Sequence, residues 1–261
     1  MEIVIVDSPE EAANIAADAI ERVLATSPRP VLGLATGSSP LPTYRELIER
    51  HRRGQLSLAT ASAFLLDEYV GLPADHPEAY RTFIRRHFTD QVDLPPTALF
   101  GPDGASDDLA GAAASYERQI AASGGIDLQL LGIGSDGHIG FNEPTSSLGS
   151  RTRIKTLTDA TRADNARFFA DDTDAVPRHV ITQGIATILE ARHLVLIATG
   201  ASKAAPIALT IEGPLTAMVP ASALQLHPHV TVIIDEPAAA ALTLTDYYRE
   251  AYGHKPGWQR H

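Results

Sequence analysis

Six short apolar runs, each closing on a glycine, a hydroxyl residue or an acid, constrain this chain more than any other feature. They are "EIVIV" (2–6), "VLGLA" (31–35), "ASAFLLDEY" (61–69), "IDLQLLGIG" (126–134), "HLVLIATG" (193–200) and "HVTVIID" (229–235). A strand with one wet face alternates apolar and polar residues; continuous apolar runs predict strands covered on both faces, as in parallel sheets. The segments between them read as helices. "SPEEAANIAADAIERVLA" starts with Ser8 as N-cap, Pro9 in the first turn and Glu11 completing a capping box. Helices are also expected over about 42–54, 76–88 and 107–123. Together these predict one α/β domain over residues 1–261: an open, mostly parallel sheet with helices on both faces.

Composition narrows the partners. The 261 residues carry 32 acidic against 21 basic side chains, a formal net charge of −11, which disfavours nucleic acid and anionic lipid. The absence of cysteine removes disulfides, thiolate metal sites and cysteine nucleophiles. The segment after Met1 lacks a signal-peptide pattern, and no run approaches the roughly 18 apolar residues of a membrane span, so a cytoplasmic protein is expected.

In open α/β sheets, ligands bind beyond the carboxyl ends of the strands, so function should lie in the loops after these runs. "LATGSSPLPTY" (34–44) and "IATGASKAAPI" (197–207) echo each other as strand, Thr-Gly, small polar residue, helix. In the first, Thr36, Gly37 and Ser38 offer hydroxyls and backbone amides to an anion; the second adds the Lys203 ammonium. Neither matches an NTP-binding P-loop, and the pair suggests the single phosphate of a small metabolite. Asp67 closes a buried strand, where a carboxylate can serve as a proton-abstracting base or as a cap for the next segment.

"GIGSDGHIGFNEP" (132–144) spells G-x-G-x-x-G. A dinucleotide turn needs a helix after the last glycine and an acid about 20 residues on. Here Gly140, Asn142, Pro144 and Gly149 break any helix, and the later segment "RIKTLT" is basic, so no such cofactor is expected. What remains is a loop presenting Asp136, His138 and Glu143, suited to moving protons near neutral pH. A metal would use the same groups, but no second histidine sits at ligand spacing, and none is assigned.

These segments resemble glucosamine-6-phosphate deaminase, within the wider family that includes 6-phosphogluconolactonases. The likeness runs in register through "LGLATGSSP" (32–40), "LLDEYVGLPADHPEAYR" (65–81), "GIGSDGHIGFNEPTSSLGSRTRIKTL" (132–157), "NARFF" (165–169), "VPRHVITQG" (176–184), "GASKA" (200–204) and "LQLHPHVTVIIDEPAA" (224–239). The resemblance implies conversion of D-glucosamine 6-phosphate and water to D-fructose 6-phosphate and ammonia, with no metal or organic cofactor. Asp67 would move the proton from C2 to C1, and His138, positioned by Asp136 and Glu143, would open the ring. Thr36, Gly37, Ser38 and Lys203 would hold the phosphate together with Arg167, which only the resemblance singles out. It also implies a mobile lid at about 158–187. Ser146, Arg153, Lys155 and Thr156 match a regulatory site for N-acetylglucosamine 6-phosphate found in hexameric members, so a homo-oligomer is open. The alternatives are a 6-phosphogluconolactonase or related sugar-phosphate isomerase, and a non-catalytic sugar-phosphate effector domain.

Overall fold

The computed structural model describes residues 1–73 and 75–256; Ala74, which falls in the quoted segment 65–81, and the last five residues lie outside them. In chain order the elements are β1 (Glu2–Val6), α1 (Pro9–Thr26), β2 (Val31–Leu34), α2 (Leu41–Arg52), β3 (Ser62–Leu65), β4 (Asp67–Tyr69) and α3 (Tyr80–His87). Next come β5 (Leu99–Phe100), α4 (Leu109–Ala122), β6 (Leu128–Leu131), β7 (Arg153–Thr156), α5 (Asp159–Ala166), β8 (His179–Thr182) and α6 (Ile185–Leu189). The chain continues through β9 (His193–Ala198), α7 (Ala204–Ile211), β10 (Val230–Asp235), α8 (Glu236–Ala239) and α9 (Thr245–Gly253).

Seven strands form one parallel sheet in the order β1-β10-β9-β6-β2-β3-β5. Every residue of β2, β6, β9 and β10 is buried, as the continuous apolar runs require. Alternate side chains feed two cores. Leu128, Leu130, Val195 and Ile197 pack with α1, α2 and α3, while Leu131, Leu194, Leu196 and Val232 pack with α4, α6, α7 and α8. Each such side chain stabilises the fold by about 1.5–3 kcal/mol on burial. From β2 the chain winds outward to β3 and β5, then returns to the other side of β2 as β6. That reversal is a topological switch point, and a crevice opens beyond the carboxyl ends of β2 and β6.

The run 61–69 does not form one strand. Leu66 donates its N–H to Leu34 O of the parallel sheet, at 3.2 Å, and accepts the Gln183 N–H, at 2.8 Å. One residue thus joins two sheets, and β4 begins at Asp67 as part of a three-stranded antiparallel sheet, β4-β8-β7. This second sheet was not expected from the apolar runs. The segment read as a lid is also divided. Residues 179–182 are β8, the central strand of the small sheet, with Val180, Ile181 and Thr182 buried, whereas the residues of this segment that line the crevice lie between Thr158 and Phe169. A third core of Tyr69, Phe141, Leu157, Ala166, Phe169 and Val176 seats that cover on β4 and β8. The Ser8 hydroxyl caps α1 as expected, accepting from Glu11 N at 3.1 Å. The Glu11 carboxylate reaches one residue further back than a capping box, to Asp7 N.

Candidate active site

Both Thr-Gly loops adopt the left-handed backbone that only glycine takes without strain, with φ +94° at Gly37 and +90° at Gly200. The first is pinned from below. The buried Tyr44 hydroxyl of α2 donates to Ala35 O at 2.7 Å and accepts Ala35 N at 3.1 Å. Among the described residues, no hydrogen bond occupies the N–H groups of Gly37, Ser38 or Ser39, and all three residues line the crevice. The second loop brings Lys203, whose Nζ donates to Ile133 O at 2.7 Å in the loop after β6. Arg167, at the carboxyl end of α5, lies close enough to push the Lys203 ammonium below its ordinary pKa. Burial is the larger cause, the like charge of Arg167 adds to it, and Asp136 opposes both. Two cations beside amides that have no hydrogen-bond partner among the described residues can hold an anion.

Thr36, Gly37, Ser38, Arg167 and Lys203 all line one cavity of about 400 Å³, together with Asp67, Asp136 and His138. The two Thr-Gly loops and the glycine loop therefore converge, although they stand up to 167 residues apart (36 to 203). A smaller cavity of about 270 Å³ adjoins it, bounded by Ser38, Ser39, Thr199, Ser202, Arg167 and Lys203.

Asp67, which also lines the main cavity, is 5% exposed. Burial pushes its carboxyl well above the usual carboxylate range, and the adjacent Glu68 charge adds to the rise. Among the described residues nothing donates a hydrogen bond to it. Glu68 behaves differently: its carboxylate accepts the N–H groups of Tyr69, Tyr80 and Arg81, each at 2.9 Å. It thereby caps α3, whose own N-cap Ala79 has no side-chain acceptor. Of two neighbouring acids, one is consumed as a cap and the other is left free for chemistry. Gly140, at φ +56°, leaves the approach open; a Cβ there would sit 3.6 Å from the Asp67 carboxylate and 2.9 Å from Thr182 Oγ1.

The glycine loop is a seat for one imidazole. His138 Nδ1 lies 2.6 Å from Asp136 Oδ1, which also accepts the His138 backbone N–H at 3.1 Å. The hydrogen bond from His138 holds the Asp136 carboxyl below its usual range. Gly134 faces the ring so closely that a Cβ would fall 2.1 Å from His138 Cε1. Gly137, at φ +82°, turns the backbone beside Val219. With Nδ1 fixed on Asp136, Nε2 is the nitrogen left for a substrate proton.

Glu143 is buried but does not line this cavity; it accepts hydrogen bonds from Thr158 and Thr161, tying the loop to the cover helix α5. Among the described residues no hydrogen bond links Glu143 directly to His138. Arg162 staples the cover internally, donating to Val176 O at 3.1 Å and Thr173 O at 2.6 Å. Tyr69, Glu78, Tyr80 and Phe141 also line the cavity, and motif reading did not select them. Their common signal is proximity in the chain to Asp67 and His138.

The four residues matched to a regulatory site lie behind the loop. Arg153 and Lys155 share one face of β7, and Thr156 Oγ1 pairs with His179 Nδ1 at 3.3 Å. Arg153 donates to Asn142 Oδ1 at 2.9 Å. Ser146 is buried, and its Oγ has no partner among the described residues.

Residues 7–233 match the family described as glucosamine-6-phosphate isomerases/6-phosphogluconolactonase. A curated glucosamine-6-phosphate deaminase of Beutenbergia cavernae is 60% identical over 259 residues, 99% of both chains, and that of Mycolicibacterium smegmatis is 58% identical over the same span. A solved structure described as a monomeric glucosamine-6-phosphate deaminase superposes with a TM-score of 0.90 at 42% identity, covering 92% of this chain and all of that one. The 6-phosphogluconolactonase of Trypanosoma cruzi, at 24% identity and a TM-score of 0.73, covering 93% of this chain and 97% of its own, shares the fold. On the family match and the full-length relatives together, this chain belongs to the glucosamine-6-phosphate isomerase/6-phosphogluconolactonase family.

Proposed function

We propose that the cavity binds D-glucosamine 6-phosphate and, with water, converts it to D-fructose 6-phosphate and ammonia. The observation that carries this is the pairing, in one cavity, of an anion site with a buried, unpartnered carboxylate and an Asp-held imidazole. The deaminase names of relatives matching 99% of the chain support the same reaction, whereas the lactonase likeness at 24% identity supports only a shared fold.

Phosphate sits against Thr36, Gly37, Ser38, Arg167 and Lys203, which sets the far end of the sugar toward Asp67 and His138. His138 moves a proton between the anomeric hydroxyl and the ring oxygen, opening the ring to the aldehyde. Asp67 then takes the C2 proton as the aldehyde oxygen gains one, giving an enolamine, and delivers a proton to C1. The resulting C2 ketimine adds water and expels ammonia. General acid–base groups and orientation supply each step, so no metal or cofactor is assigned. Glu143 acts on this site through Thr158 and Thr161, by holding the cover that excludes bulk water. Sugar phosphates do not cross lipid unaided, which supports the reading of a cytoplasmic enzyme.

A regulatory site for N-acetylglucosamine 6-phosphate at Ser146, Arg153, Lys155 and Thr156 is supported by the Arg153–Asn142 bond, which joins β7 to the loop carrying His138. A homo-oligomer would expose that site to a neighbouring copy; the structural relative named above is described as monomeric. Purified protein assayed for fructose 6-phosphate and ammonia, beside a lactone-hydrolysis assay, tests the main reading. Equimolar products are expected; turnover of lactone without the amino sugar would overturn it, and binding of both without turnover would favour an effector domain.

A further inference from the structure

The anion loops differ in how they are held. Loop 36–39 is braced by Tyr44 within its own β–α unit, whereas loop 199–203 is braced from the next strand. Asp235 ends β10 and is 5% exposed. Both of its carboxylate oxygens accept the Gly200 N–H, each at 2.9 Å, and Oδ1 also accepts Ala238 N at 2.9 Å, capping α8. Gly200 in turn accepts the Lys203 backbone N–H on its carbonyl at 3.0 Å. A bifurcated hydrogen bond to Gly200 and one hydrogen bond from Lys203 thus connect a buried carboxylate to the backbone of Lys203. They pass through a residue at φ +90°, ψ +154°, a region that side chains do not tolerate.

From this we infer that Asp235 is the positioning residue of the phosphate subsite. It touches no substrate; it fixes the Gly200 amide plane, and with it the position from which Lys203 reaches the anion. A negative charge suits the task better than a neutral acceptor. Charge-assisted bonds to an N–H are shorter and stronger, and two oxygens on one N–H restrain its direction as well as its distance. The arrangement also spends the Gly200 N–H on the protein, so this loop contributes a cation to the phosphate while loop 36–39 contributes backbone amides. The inference rests on the proposed phosphate role of Lys203.

The test compares Asp235→Asn, Asp235→Ser and Gly200→Ala with wild type and Lys203→Ala, measuring kcat, KM for D-glucosamine 6-phosphate, Ki for inorganic phosphate, and Tm. Serine still caps a helix but is too short to keep the Gly200 bond, and Gly200→Ala disturbs the same link while leaving Asp235 and α8 intact. All three are expected to raise KM and Ki together by about tenfold, with kcat changing much less. Values of KM and Ki within twofold of wild type in a folded Asp235→Ser or Gly200→Ala variant overturn the inference, as does a parallel fall in kcat and Tm with Ki unmoved. If Lys203→Ala also leaves KM and Ki unchanged, the phosphate reading itself fails, and the inference with it. If only Lys203→Ala raises them, the phosphate reading stands and Asp235 is a helix cap alone.

Discussion

At the proposed phosphate subsite the donors are many and mostly backbone: three amides with no hydrogen-bond partner among the described residues, neighbouring hydroxyls and two cations, beside glycines at positive φ. Around Asp67 and His138 the proposed chemistry rests on single side chains, with one buried carboxylate that no described residue hydrogen-bonds and one imidazole held by one aspartate. Redundant donors share a load, so losing one weakens binding. A lone base has no substitute, so losing it stops the reaction. Substitutions in the two regions should therefore separate KM from kcat, and by very different factors.

The largest effect is expected from Asp67→Asn, which should lower kcat by about 10³-fold or more while substrate still binds, in line with removal of a general base. The same variant should melt no lower than wild type at neutral pH. Asp67 has a raised pKa in the folded state, so its contribution to stability is present at acid pH and is lost as pH rises through the folded pKa. Replacing it with a neutral isostere removes that penalty. Turnover within tenfold of wild type would erase the contrast between the two regions.

The pH profile is the next test. A base acts only when ionised, so activity should fall about tenfold per pH unit below the Asp67 pKa, on an acid limb lying above the ordinary carboxylate range. Repeating the profile for binding of inorganic phosphate separates titration of the ligand from titration of the enzyme. A limb at the ordinary aspartate position would mean that Asp67 is not the limiting base.

Smaller changes belong to the proposed phosphate subsite. Lys203→Ala should raise KM by about tenfold to thirtyfold with a modest change in kcat, the size expected for one charge-assisted contact. Ser38→Ala, which leaves the amide in place, should shift KM by only about twofold to threefold. A kcat loss at Ser38 as large as that at Asp67 would show that the regions are not divided in this way.

How much of this was legible in sequence follows the range of each interaction. The parallel strands, their helices and the two Thr-Gly loops depend on local periodicity and on glycine conformation, and both are written in short segments. The Asp136–His138 pair spans two residues and could be anticipated. The small sheet could not. β7 alternates partly exposed and exposed residues over four positions, and β8 acquires its place only by pairing with β4 and β7. Leu66 looks like any apolar strand residue, yet its N–H and C=O serve different sheets. Glu68 caps a helix that starts twelve residues later, Asp235 acts on a glycine 35 residues earlier, and Glu143 bonds to a helix 18 residues on instead of to His138. Nothing in the local pattern distinguishes those three acids from Asp67; only the tertiary structure shows which carboxylates are already occupied.

The central claim is that Asp67 carries a proton between adjacent carbons of an amino-sugar phosphate. Glucosamine 6-phosphate deuterated at C2, turned over in ordinary water and analysed by mass and NMR, tests it directly. The account predicts a primary isotope effect on kcat and a measurable fraction of deuterium at C1 of the fructose 6-phosphate, both absent in Asp67→Asn. Product formed with no isotope effect and no deuterium at C1, or unchanged label transfer in Asp67→Asn, would contradict it.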